Sequence, residues 1–297
     1  MRLGAQLYAR LNAFMENKYT PQGYASPSAI LITLAIGMLA SFVLPIVYII
    51  LGQLIPNIWF IAIIAFLLGM GLGFFIDLGV KIGKLRNKKI VTVIAVFCGL
   101  LAFYIQWVFF DTLIYSSKGF TFNLSAQDIK ILADDFFFLF THPGILFQEI
   151  VNLNEVGSFQ IKSSGTVKGL LLWVIWGGEF IVILGGIIFA VLSGQVTKPY
   201  SEINDQWMKK RKTSNRIAFV EDKSFILNEL NNRNLNVLSD DPSLINEQNY
   251  AEVIVYESLG DPVKYISILN ISNPTGKAKD KKIVNVLTFY ALQNANI

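Results

Sequence analysis

The sequence predicts an all-α membrane protein of four transmembrane helices with a small cytoplasmic α+β domain at its C-terminal end. Three observations predict it. Four apolar stretches are each long enough to cross a bilayer, which takes about 20 residues at 1.5 Å per residue. Charged residues make up only 15% of the 297-residue chain, against about 25% in soluble domains, and the deficit is concentrated in residues 27–115 and 168–194. Residues 217–297 change character, with short β-rich runs separated by turn signals.

Residues 1–26 form a polar, slightly basic leader in which Leu3, Leu7, Leu11 and Phe14 recur at helical spacing. That pattern predicts a short amphipathic helix on the cytoplasmic membrane face. No cleavable signal peptide is expected, because the first apolar run is too long for a signal-peptide core.

Residues 27–115 hold spans one to three. Span one runs from about Ser28 to Leu51, with Pro45 expected to kink it. The turn GQLIPN is too short for anything but an antiparallel hairpin, and span two follows from about Ile58 to Leu78. Gly69 and Gly73 in span two make a small-xxx-small pair, the pattern that lets helix backbones approach closely in lipid. The same glycines do not fit a dinucleotide fingerprint, which needs a preceding strand and an exposed helix start.

Lys81, Lys84, Arg86, Lys88 and Lys89 crowd the next loop. Positive loops stay in the cytoplasm, so both termini are expected there, in the plasma membrane, with the first turn outside. Asp77 is expected to pair with one of these cations. Span three runs from about Ile90 to Thr112, with Trp107 and Tyr115 as interface anchors and Gln106 as a hydrogen-bonding group toward a neighbouring helix.

Residues 116–167 then form an extracytoplasmic helical loop, acidic on balance. Ile129, Leu132, Phe136, Leu139 and Phe140 predict an amphipathic helix, opened by Ser125 and Asp128 as a capping pair. Thr141-His142-Pro143-Gly144 breaks it, and Leu146, Ile150 and Leu153 mark a second short helix. Both are expected to lie at the outer surface or to cap the bundle.

Residues 168–194 are span four, with one carboxylate, Glu179, in the apolar run beside Gly177 and Gly178. A carboxyl in hydrocarbon costs a few kcal/mol, on the order of 2.5–3.5 on insertion scales, so Glu179 is expected to face the bundle. Counting depth from the span ends puts it about 16 Å down, in an intramembrane polar site with Ser41 and Tyr104, where a backbone carbonyl, Tyr104 or Ser41 is its expected hydrogen-bond partner. Gly178 and Gly186 join Gly69 and Gly73 as expected packing glycines.

A basic juxtamembrane segment, 195–216, follows. Trp207 with Lys209, Lys210, Arg211 and Lys212 predicts an anchor to anionic lipid headgroups. Residues 217–297 are read as a helix over Glu221–Arg233 packed on a three-stranded antiparallel meander, Tyr250–Glu257, Val263–Ser272 and Ile283–Leu292.

The chemistry is sparse. One histidine, His142, and one cysteine, Cys98, leave no zinc-type ligand cluster and no disulfide framework. Catalytic residues, metals and cofactors are not expected. The net charge of +4 reads as topology and lipid attraction, so nucleic acid is not an expected partner. Membrane lipids are, as is a protein partner through the C-terminal domain or the outer loop. Two function classes remain: a non-enzymatic interaction or scaffold protein, and a small ion or proton transporter working through Glu179.

Overall fold

Ser26 accepts the Ala29 N–H on its hydroxyl and Pro27 opens the first turn, so α1 (Pro27–Leu54) begins with both signals of a helix start. Pro45 lies inside α1, which continues past it. The computed structural model describes residues 17–55, 57–114, 121–157, 159–161, 165–239, 248–273 and 278–293. The predicted leader helix at 1–16 and the anchor residue Tyr115 lie outside the described residues.

Asn57 caps α2 (Ile58–Gly83) by accepting the N–H groups of Trp59 and Phe60. The helix ends at Lys84, which takes a left-handed conformation, φ 57°. Asn87 holds the turn that follows, bonding the Gly23 carbonyl and the Ile90 N–H, and Arg86 lies 4.6 Å over the Tyr24 ring. α3 (Lys88–Ile114) then runs back. α6 (Leu170–Leu192) is the fourth long apolar helix, and these four are long and apolar enough to cross a membrane. Leu39, Phe74, Val93 and Ile181, one on each, are more than 60% exposed. Apolar side chains pointing outward on every helix fit a bundle whose solvent is lipid.

Close backbone contacts give the helix directions. A Cβ on Gly79 would lie 2.8 Å from Thr33 Cα and one on Gly83 2.9 Å from the Ala29 carbonyl, so α1 and α2 are antiparallel. Gly69 meets Ile183 and Gly73 meets Ile187 and Ala190, so residue numbers rise together along α2 and α6. Those two helices are parallel.

That parallel pairing decides what lies between α3 and α6. α4 (Ala126–Thr141) opens on the capping box of Ser125 and Asp128, and α5 (Pro143–Val156) on Pro143. The pair is bent by 102° at His142. As α6 returns antiparallel to α3, the bent pair enters and leaves the bundle at one face and is no fifth span. Of the two expected placements, at the outer surface or capping the bundle, the contacts favour one packed against the bundle. Phe140 packs 6.0 Å from Phe42 and 5.7 Å from Tyr104, residues inside α1 and α3. The Tyr104 hydroxyl donates to the Phe140 carbonyl at 2.7 Å, at the α4 C-terminus. An apolar helix too short to span can still dip into lipid when its end carbonyls find a donor.

A short hairpin of β1 (Phe159–Ile161) and β2 (Gly165–Val167) leads to α6. Asn154 and Gly169 exchange two hydrogen bonds there, tying the end of α5 to the start of α6.

The chain divides into two units, Gly23–Thr197 and a second made of Met1–Gln22 with Lys198–Ile297. The second opens with a small hairpin, β3 (Tyr200–Ser201) and β4 (Gln206–Trp207). Its main sheet is antiparallel, in the order β5 (Lys209–Ala218), β6 (Asn249–Glu257), β7 (Val263–Ser272), β8 (Lys282–Gln293). α7 (Lys223–Asn231) packs Ile226 and Leu230 against Val253, Val255, Ile266, Ile268 and Leu287 on one face. Each such fully buried aliphatic contributes about 1.5–3 kcal/mol through its area.

Two features differ from expectation. The sheet has four strands, because the basic segment read as a juxtamembrane anchor is β5. Its cations run against strand propensity, yet an edge strand tolerates them, since the Arg211 and Lys212 side chains stay partly in water. The described end of the leader also joins this sheet: the Tyr19 N–H bonds the Phe289 carbonyl and the Ala291 N–H bonds the Asn17 carbonyl, extending it beyond β8.

Candidate functional site

Three helices bring one polar group each to a single point in the bundle. Glu179 comes from α6, four residues before Ile183, and Ile183 and Trp176 of the same helix face are buried. Tyr48 comes from the buried face of α1, two turns beyond Ser41. Gln106 comes from α3 and is 5% exposed. Tyr48 Oη donates to Glu179 Oε1 at 2.7 Å, and Gln106 Nε2 donates to the same oxygen. Gln106 Oε1 is buried with no hydrogen-bond partner among the described residues. The arrangement is a polar clasp across three spans, built from one carboxyl and two neutral side chains.

The two side chains named as alternative partners of Glu179 sit elsewhere. Ser41 Oγ lies 2.8 Å from the Gly37 carbonyl and 3.0 Å from the Cys98 carbonyl, sharing its proton between α1 and α3. Tyr104 serves the end of α4. The depth count misplaces Glu179 because α1 runs on to Leu54 and α6 starts only at Leu170. Both shifts move Glu179 from the level of Ser41 toward that of Tyr48. Gln106 does bond a neighbouring helix. Tyr48 takes that place instead, and its seven-residue spacing from Ser41 puts both on one helix face.

Below the clasp runs a seam of small residues. Glycine at position 69 is required because an added Cβ would collide with the Ile183 carbonyl; at 73 it would lie 2.5 Å from Ala190 Cβ. Gly186 completes the seam, 3.2 Å from Gly69 Cα by the same measure. Gly178 does not belong to it: a Cβ there meets nothing within 4 Å. One residue before Glu179, it points about 100° away from that side chain around α6.

Asp77 closes the other end of the α2–α6 contact. Its carboxylate accepts the Gln195 backbone N–H, and it occupies the space a side chain at Gly194 would need. Nothing local in the sequence marks this acceptor role toward an orphan N–H just past the end of α6.

Among the residues of the expected lipid anchor, Trp207 packs edge-on against Tyr200 at 5.0 Å. Arg211 bonds Glu257 at 2.6 Å and Lys212 bonds Glu252 at 2.7 Å, both across the β5–β6 ladder. The Arg211 guanidinium holds the Glu257 carboxyl below the usual carboxylate range. Lys209 and Lys210 are exposed at the start of the strand. Among the described residues no three His, Cys, Asp or Glu side chains gather in a metal-binding group. Comparisons with protein-family models, with curated proteins and with solved structures return no match.

Proposed function

We propose that the chain is a non-enzymatic, multi-pass interaction protein of the plasma membrane, with both termini in the cytoplasm and a partner-binding domain formed by the sheet unit. The observation that carries this reading is the closure of the Glu179 carboxylate by Tyr48 and Gln106. A proton or cation path needs a chain of ionisable groups, and both neighbours of Glu179 are neutral. The orientation rests on the cations at 81–89, which mark the cytoplasmic loop. The exposed Lys209 and Lys210 suit an acidic protein surface or anionic headgroups.

The competing reading, transport through Glu179, draws on the unpartnered Gln106 Oε1, which could take part in ligating a cation. A flux assay separates the two. The purified full-length protein is reconstituted in liposomes and challenged with proton, sodium and potassium gradients. No flux above empty vesicles is expected. Flux that Glu179→Gln abolishes would replace the interaction reading with transport.

A further inference from the structure

A slot of about 490 Å³ lies between α3, α5 and α6, within the span of about 300–1,000 Å³ typical of small-molecule sites. Each helix contributes a stripe of lining residues two turns long: Leu100 to Trp107, Pro143 to Ile150, and Trp173 to Phe180. Each stripe covers about 10 Å at 1.5 Å per residue. Two of the three walls are membrane spans, and the third is the re-entrant α5, so the slot lies at membrane depth. It exists because α5 dips beside α3 and α6 without filling the space between them.

The chemistry of the walls is uniform. Trp107 and Trp176 meet edge to face at 4.7 Å, and Phe103 and Phe180 lie 4.8 Å apart. The Tyr104 hydroxyl, the one side-chain polar group on the wall with an oxygen, is engaged by the α4 carbonyls. Among the described residues no charged side chain lines the space. An ionic ligand would lose its water without replacement there. Gly177 opens the α6 wall, since a Cβ on it meets nothing within 4 Å.

The slot is continuous with the lipid-facing surface. Phe147 on α5 and Leu100 on α3 line it and are 60% and 52% exposed, so the mouth opens sideways toward the hydrocarbon. We infer that this slot is a binding site for one acyl chain of a membrane lipid from the leaflet that α4 and α5 enter. The aromatic walls hold the chain by dispersion and shape, which exchange with bulk lipid does not supply equally at a flat helix face.

The test uses the full chain and dibrominated phosphatidylcholine, whose chain bromines quench nearby tryptophans. Three of the chain's five tryptophans, Trp107, Trp173 and Trp176, line the slot. The protein is equilibrated with the brominated lipid, moved into lipid-free mild detergent, and examined by fluorescence and native mass spectrometry. Quenching is expected to persist, with one phospholipid retained per chain. Gly177→Phe fills the slot and should abolish both signals. Gly185→Phe, at another open glycine of α6 outside the slot, should keep both. Leu100→Trp narrows the slot from the α3 wall and should act like Gly177→Phe if that variant folds poorly. The inference fails if quenching and lipid vanish from the parent with the bulk lipid, which means adventitious annular lipid only. It also fails if the parent carries a non-lipid adduct, forms a lipid-free dimer, or if neither filling variant displaces the lipid.

Discussion

Tyr48 Oη donates a 2.7 Å hydrogen bond to Glu179 Oε1, joining the first and last long helices of the bundle across 131 positions of sequence. Gln106 brings the third helix to the same oxygen. In lipid, where burying apolar surface does not drive helices together, packing and such hydrogen bonds carry association. Glu179 can therefore be tolerated in an apolar helix because it is the point on which three spans agree.

Removing the phenol should loosen that point by a modest amount. Tyr48→Phe is expected to lower stability by about 0.6 kcal/mol, and by no more than about 1.7, the range for interhelical hydrogen bonds in membranes. Glu179→Gln keeps the shape and an acceptor oxygen for Tyr48 and should unfold close to the parent. Denaturant unfolding in detergent micelles, followed by tryptophan fluorescence, measures both. A Glu179→Gln protein that is far less stable would mean the carboxyl itself is needed.

The glycines of α6 and α2 should respond in opposite ways. Gly69→Leu forces a side chain into the Ile183 backbone and is expected to cost about 1–3 kcal/mol or more, or to prevent a monodisperse preparation. Gly178→Ala faces open space and should be neutral or stabilising by about 0.5–1 kcal/mol, because alanine loses less backbone entropy in a helix. Equal losses from the two variants would contradict the α2–α6 seam.

The re-entrant pair makes a topological prediction. In a Cys98→Ala background, single cysteines at Asn123 and Lys168 flank α4 and α5. Both should react with a membrane-impermeant maleimide from the same side, and a cysteine at Lys88 from the other. Labelling of Asn123 and Lys168 from opposite sides would make the bent pair a fifth span.

Glu257 should give the sheet unit an acid-sensitive component. Arg211 first, and Lys264 with it, hold its carboxyl below the usual range in the folded chain. The folded state then binds fewer protons than the unfolded one, whose carboxyl titrates near about 4.3. The stabilisation is therefore present at neutral pH and is lost as pH falls below that value through the folded one. Both partners are partly exposed, so its size is about 1 kcal/mol or less. Thermal unfolding of the full chain between pH 7 and pH 3 should show a smaller acid loss for Arg211→Gln than for the parent. Identical losses would remove Arg211 as the cause.

Some of this molecule is legible in the sequence because it depends on properties that are additive along the chain. The four apolar helices follow from length and hydropathy, and the capping box at Ser125 and Asp128 from local hydrogen bonding. The strands Val263–Ser272 and Asn249–Glu257 follow from β-branched runs ended by turn residues. The glycine pair at 69 and 73 signals close packing, since only small residues let backbones approach in lipid.

Other features required the packed structure. Nothing local in Lys209–Ala218 marks a strand; its pairing with β6 and the acidic partners Glu252 and Glu257 decide it. The dip of α4 and α5 depends on Tyr104 meeting carbonyls more than thirty residues away. Tyr48 became the partner of Glu179, and Ser41 did not, because where each helix begins and ends sets the depth at which side chains from different spans meet. Periodicity along one helix determines which face a residue occupies, and only the packing of several helices decides which residues share a level.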